Sequence, residues 1–441
     1  MLPGDQLRLG PKVALNVITP TSLSAPRLST ALPNVPGIRP LPIPTISNIA
    51  GDINTAERTL NYPDSVRPPH PEPANPPGLA KPSTSRLPRR SYVNGPFRVW
   101  RGLSAGGFAT TVAAEDVASG RSLCLKVFRK DRLQYTGRSL RRELEVYKRL
   151  ASEYRPANIF LMELEMAFQT RKDIYLVMDL MAYDLTYYMR NESEYCIENA
   201  RRWSAQLALG INALHDMGII HRDIKAENVL IDIQQNVRIT DFGLGYYIKE
   251  PRPLNPWRGY TSSVKGTIHC MAPEILRNME NPNSMKYGVP VDWWAFGCVL
   301  YQLISLDHKV LFDSENATLE YVSWRSEHYG TLDLFPAFDQ LDSLAADLLV
   351  RLLHPIVQLR YGFRHVTTHS YFLNDDGTME FDGAYSSAVK REKWPQMLPS
   401  LRNEKTSDET ANVLCCIPPG SSGYVPNVDW RKPRPQATHF P

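Results

Sequence analysis

Two short polar runs in this chain carry residue types that can do chemistry: HRDIKAEN at 221–228 and DFG at 241–243. Asp223 can serve as a base, Lys225 as a cation beside an anionic group, and Asn228 and Asp241 as hard oxygen ligands for a divalent cation. Farther upstream, Lys126 emerges from the apolar run LCLKVF, where an ammonium needs an acidic partner. An isolated HRD would be read as an ordinary exposed loop. Two such runs together with the upstream lysine instead imply one site that gathers a base, cations and metal ligands around a polyanionic group.

Lys126, HRDIKAEN, DFG and the APE of residues 272–274 together resemble the signature set of the eukaryotic protein kinase superfamily. The resemblance spans roughly residues 97–372 and implies an α+β, bilobal protein kinase fold. A small antiparallel β-sheet lobe with one helix would sit against a larger, mainly helical lobe, with ATP between them. The implied reaction moves the γ-phosphoryl of ATP to a protein hydroxyl, a step that depends on positioning and charge neutralisation more than on covalent help. In that scheme Asp223 accepts the hydroxyl proton, Lys225 lies near the moving phosphoryl, Asn228 and Asp241 hold Mg²⁺, and Lys126 binds the α and β phosphates. Glu143 in RRELEVYKRL is the expected partner of Lys126. It is preferred to Glu145 because Val146, Tyr147 and Leu150 then line the inward face of a helix.

The elements that must position this set begin where the composition changes at Phe97. Strands are expected over 97–103, 110–115 and 122–128, with a glycine-rich turn between the first two. Backbone amides in such a turn can approach phosphates unobstructed. The copy of the family loop is imperfect: Ser104 and Ala109 stand at the first and third glycine positions, Gly106 at the second, with Gly107 and Phe108 at the tip. The resemblance puts Thr111 over the adenine, Cys124 beside the nucleotide, Met178 at the gatekeeper position, Asp179 to Met181 at the hinge and Asp184 near the ribose. The amphipathic run ENARRWSAQLALGINALHDMG reads as a helix stopped at Gly218.

Beyond DFG, the segment up to APE contains a Pro-rich stretch, 251–256. Asp292, in the apolar run VPVDWWAFGCVLYQLI, must be held by donors, since a lone buried carboxylate is costly. Arg360 matches the family's partner of Glu274. Lys225, Gly266 and Thr267 resemble the Ser/Thr class, and Asp292-Trp293-Trp294 with Tyr301 resembles the AGC group in particular. Asp184 and Glu227 would favour arginines before the acceptor, weakened by Gln302 at the third matching place. Of Thr261, Ser262 and Ser263, the last is the expected site for a phosphate that orders the segment through Arg222; stiffening by the prolines is the alternative. A pseudokinase or scaffold that binds ATP and partners without turnover is the competing reading of the whole domain.

A length of 441 residues with 43% hydrophobic residues allows about two or three folding units. Nineteen of the 36 prolines fall in residues 1–96, and this part lacks helical or alternating periodicity. A disordered arm is therefore expected over 1–95, a kinase domain over 96–372 and a tail of open order over 373–441. PxxP spacing at Pro33/Pro36 and Pro68/Pro71 suits an SH3/WW-like partner, although Pro-rich linkers produce it freely. Trp394, Tyr424 and Trp430 leave the tail either docked or mobile. Six scattered cysteines suggest neither a zinc site nor a disulfide framework. No secretory signal or membrane span is expected, which points to an intracellular protein of the cytoplasm or nucleus. A net charge of +4 is too small to argue for nucleic acid.

Overall fold

The computed structural model describes residues 97–105, 109–152, 156–331, 333–389, 417 and 419–433. The Pro-rich arm, its PxxP sites, Gly106, Gly107, Phe108 and Trp394 lie outside these residues.

The expected strands form with small extensions: β1 (Phe97–Ala105), β2 (Thr110–Asp116) and β3 (Ser122–Arg129). They join β4 (Leu164–Gln169) and β5 (Asp173–Asp179) in antiparallel order β1-β2-β3-β5-β4. Period-two alternation gives this sheet two unlike faces. Phe97, Val112, Leu123, Leu125, Phe168 and Val177 make an apolar cluster on one of them. Thr111, Cys124, Lys126 and Met178 belong to the other, because Cys124 lies opposite Met178 and Thr111 opposite Lys126. Helix α1 (Leu133–Ser152) covers this second face, with Leu140, Glu143, Leu144, Val146, Tyr147 and Leu150 buried at helical spacing.

The larger lobe opens with the short strand β6 (Tyr183–Asp184) and α2 (Leu185–Asn191), whose first turn is capped by Asp184 accepting from the Tyr187 N–H at 2.8 Å. Helix α3 (Ser193–Asp216) follows and ends where Gly218 adopts φ +79°. A side chain there would also run into Ile248, 2.6 Å from an added Cβ. Strand β7 (Ile219–Ile220), the hairpin β8 (Val229–Ile231) and β9 (Val237–Ile239), and β10 (Tyr246–Tyr247) carry the polar runs. Helices α4 (Pro273–Glu280), α5 (Pro290–Ile304), α6 (Glu315–Glu327), α7 (Ser343–Leu352) and α8 (Phe363–Val366) complete the lobe. Helix α5 is apolar on nearly every side because it is surrounded: Trp294, Phe296 and Leu300 are fully buried. Among the described residues no helix is long and apolar enough to cross a membrane.

Structure continues past Phe372. Helix α9 (Glu380–Val389) buries Phe381 against Phe372, with ring centroids 4.8 Å apart. Farther on, β11 (Trp430–Arg431) pairs with the edge strand β4 at Ala167 and Met166. Gln169 binds both the N–H and the carbonyl of Val425, and Val428 is buried in the core. For 419–433 the choice between docked and mobile thus falls to docked. An exposed sheet edge is a row of unpaired N–H and C=O groups, and this segment covers it.

The larger lobe is tied together by the expected ion pair. Arg360 meets Glu274 with both nitrogens of its fork, at 2.6 and 2.9 Å, and donates also to the Pro290 carbonyl. The two side chains are 0% and 3% exposed. Removing one partner of a buried pair leaves the other charge uncompensated. Arg360→Ala should therefore cost roughly 3–5 kcal/mol and lower the melting temperature by roughly 6–20 °C for a domain of this size. An unchanged midpoint in differential scanning calorimetry would contradict that assignment.

Candidate active site

Lys126 sits where β3, α1 and the DFG turn converge. Its Nζ donates to both carboxylate oxygens of Glu143, at 2.8 and 2.9 Å, and to Asp241 Oδ1 at 3.0 Å. Glu145, the competitor, points outward and pairs with Lys148. Burial works against the Lys126 charge, but Glu143 and Asp241 together hold its pKa above the ordinary lysine value. Burial also acts on Glu143, pushing its carboxyl up to about 7 against the pull of Lys126. Donation from one ammonium to both Glu143 oxygens fits the carboxylate form. Asp241, likewise opposed by burial, is kept below the usual carboxylate range by Lys126.

The DFG turn is fixed from above and below. Asp241 adopts a left-handed backbone, φ 61°, and Phe242 is fully buried between Tyr147 of α1 and His221 of the 221–228 loop. Non-glycine residues at positive φ cost energy, so their presence here is the kind of strain that functional sites store. Arg142 of α1 adds a bond to the Gly243 carbonyl.

In the 221–228 loop Arg222 is also left-handed, φ 68°. Asp292 of α5 holds it there: the N–H groups of His221 and Arg222 both donate to its carboxylate at 2.8 Å, and His215 of α3 lies 2.9 Å from the same group. The His221 ring accepts from the Asp223 N–H through Nδ1 and bonds the Thr240 carbonyl through Nε2, which fixes the tautomer with the proton on Nε2. Asp223 is thereby aimed at three side chains. Thr267 donates to its Oδ1 at 2.6 Å, Asn228 Nδ2 lies 3.1 Å from Oδ2, and Lys225 Nζ 3.3 Å from Oδ2 while also 2.8 Å from the Thr267 hydroxyl. The close approach of this segment requires glycine at 266, with φ +124° and the Arg222 carbonyl 2.6 Å from where a Cβ would stand.

Asn228 and Asp241 flank the two ends of the β8–β9 hairpin, linked by the Thr240 N–H to the Asn228 carbonyl at 3.0 Å. Asn228 uses its Nδ2 on Asp223, so its side-chain oxygen is left as a donor atom to a cation, as is the second carboxylate oxygen of Asp241. Two hard oxygens on adjacent strand ends suit a divalent metal accompanying a polyphosphate.

The other expected nucleotide contacts divide. Thr111, Cys124, Lys126 and Met178 share one sheet face, and Ser104 lies opposite Thr111. Burial pushes the Cys124 thiol up to about 12, so it presents a neutral surface. Asp179 lies opposite Leu123 on the other face, pushed up by burial to about 6 and paired with Arg121 at 2.8 Å. Its side chain therefore faces away from the cleft. Outside the strand ladders the Met181 backbone takes no hydrogen-bond partner among the described residues. One oxygen of Asp184 is occupied by the α2 cap. Thr267, His221 and His215 are site residues that the sequence reading did not assign; the GT pair before APE and the LH pair in α3 were the available signals.

Residues 97–372 match the protein kinase domain family, and the chain belongs to that family. It resembles the family's AGC group. Rhodopsin kinase grk7a of Danio rerio is 32% identical over 276 residues, 61% of this chain and 46% of that protein. G protein-coupled receptor kinase 1 of Caenorhabditis elegans is 30% identical over 285 residues, 64% and 41% of the two chains. Protein kinase C of Aspergillus fumigatus is 28% identical over 308 residues, 68% and 25%. The chain thus spans less than half the length of these relatives.

The brace at Asp292 has a pH signature. Burial would raise its pKa, but the His215 ring and the Arg222 N–H hold it below the usual carboxylate range. Stability from a depressed carboxylate is fully present above the unfolded value of about 3.9 and is lost as pH falls through the lower folded value. Below about pH 4 the melting temperature of the wild type should fall more steeply than that of Asp292→Asn. Parallel slopes, followed by circular dichroism, would count against the brace.

Proposed function

We propose that this chain is a protein serine/threonine kinase that moves the γ-phosphoryl of ATP to a Ser or Thr hydroxyl of a protein substrate. The observation that carries the reading is the convergence of Lys126, Glu143 and Asp241 in one cluster, with Asp223 held by Thr267, Lys225 and Asn228. ATP with its divalent cation, Mg²⁺ in this reading, supplies the phosphoryl group and part of the charge neutralisation.

The chain's own residues do the rest. Lys126 binds the inner phosphates, and Glu143 keeps its ammonium in place. Asn228 and Asp241 offer the metal-facing oxygens. Asp223 accepts the proton of the acceptor hydroxyl, while Lys225 sits beside both the base and the Thr267 hydroxyl and stabilises negative charge as it moves. Met178 and Cys124 line the adenine side, and the Met181 backbone reads the base edge. Asp184 and Glu227 lie close enough for Glu227 to raise the Asp184 pKa further, after burial, and this acidic pair favours a modestly basic substrate.

The segment before APE is tied to the larger lobe at Ser263 and Leu254. Arg222 donates to the Ser263 hydroxyl at 2.8 Å, and Leu254 is buried with its N–H on the His215 carbonyl. Phosphatase-treated protein should accordingly phosphorylate a mixed Ser/Thr peptide library. Asp223→Asn should lower that rate by about 10² to 10⁴-fold, as for a lost general base, with ATP binding retained. Wild-type protein that binds ATP yet transfers no faster than the variant would favour the pseudokinase.

A further inference from the structure

The docked segment that ends in β11 lies beyond the region matched to the kinase family, and it does more than cover an edge. Arg431 lies opposite Met166, Met166 opposite Val177 and Val177 opposite Leu125. Directly paired residues on neighbouring strands share a face, so Arg431 joins the row of Met166, Val177 and Leu125 on the apolar face of the sheet. Trp430, one residue earlier, falls in the row of Ala167, Leu176 and Lys126. Arg431 is thus on the face turned away from the Lys126 ion pair.

That face holds an open cavity of about 340 Å³, at the lower end of the roughly 300–1,000 Å³ of small-molecule sites. Leu123, Met166 and Val177 supply apolar lining, while Asp116, Arg121 and Glu165 of the sheet and Arg431 and Lys432 of the docked segment supply charge. Most of these charges are answered. Arg121 meets Asp179 at 2.8 Å and Glu165 at 3.6 Å, and Lys432 pairs with Glu163. Asp116 accepts from the Ala118 N–H and the Ser119 hydroxyl of its own turn. The exposed Arg431 guanidinium takes no hydrogen bond or ion pair among the described residues. The unanswered charge beside the apolar lining is therefore positive, and a guanidinium fork matches a carboxylate with two parallel hydrogen bonds.

We propose that this cavity is a second ligand site, separate from the nucleotide cleft, for a small organic carboxylate. Its apolar body lies against Leu123, Met166 and Val177, and its head group meets Arg431. A ligand held this way joins the sheet to the segment outside the family match and helps keep β11 on the edge of β4. Lys126 and the cleft lie on the opposite face, so the site is independent of phosphotransfer.

Isothermal titration of the whole chain, with ADP and Mg²⁺ in excess, compares naphthoate with the uncharged naphthamide of the same shape. Wild type should bind naphthoate saturably and at least about tenfold more tightly than the amide, the scale of a hydrogen bond to a charged group. Arg431→Gln, at an exposed position, should lower naphthoate affinity about tenfold and leave the amide within about twofold. No saturable binding of naphthoate, equal affinity for acid and amide, or an unchanged preference in Arg431→Gln overturns the proposal. A preference that appears only when ADP is left out places the anion in the cleft and overturns it as well.

Discussion

A lysine on an apolar strand face cannot stay charged alone, and the cleft is arranged around that constraint. Lys126 takes its neutralising partners from two other elements, Glu143 from α1 and Asp241 from the DFG turn. Withdrawing Glu143 leaves the ammonium only the half-exposed Asp241, and withdrawing Lys126 leaves two carboxylates facing each other, so the charges favour all three elements in place. Phe242 packs between Tyr147 and His221, so the apolar contacts favour the same arrangement as the charges. Cleft geometry and helix position are thereby one variable rather than two.

The 221–228 loop obeys a second constraint of the same kind. Asp292 is buried in an apolar helix and needs donors, while the backbone at His221 and Arg222 needs an acceptor for N–H groups turned inward by a left-handed residue. Each requirement satisfies the other. The strained φ at Arg222 persists because that exchange over-determines it, and the result is a loop that presents Asp223 to Thr267, Lys225 and Asn228 without further support. The docked segment ending in β11 plays a quieter part: it covers the open edge of the sheet whose middle strand carries Lys126.

Much of this was legible in the sequence because it is written in residue types that tolerate few alternatives. Lys126 in an apolar run demanded an acid, and helical spacing chose Glu143 over Glu145. Asp292 demanded donors, and the resemblance to protein kinases implied the pairing of Arg360 with Glu274. What escaped depends on features without local signatures. The bulge at Leu103, where Gly102 meets Val112 and Ser104 meets Thr111, follows from register, which a strand's sequence does not reveal. The pairing of Trp430 with Ala167 joins segments separated by most of the chain, and two paired residues leave no periodic trace. His215 takes its role only when the fold brings it to Asp292, and Thr267, in the sequence a marker of the Ser/Thr class, only when it meets Asp223.

The central claim is that Lys126, Glu143 and Asp241 form a working phosphotransfer site in the unmodified chain. Its most direct test compares transfer of labelled γ-phosphate from ATP to a Ser/Thr peptide library by phosphatase-treated wild type and Glu143→Gln. Glutamine keeps the shape but leaves Lys126 with a neutral partner in a buried site. The account predicts measurable transfer by the wild type and a loss of at least about tenfold in the variant, equivalent to 1.4 kcal/mol or more of transition-state stabilisation. Equal rates for the two proteins, or no transfer by the wild type until it is phosphorylated, would contradict it.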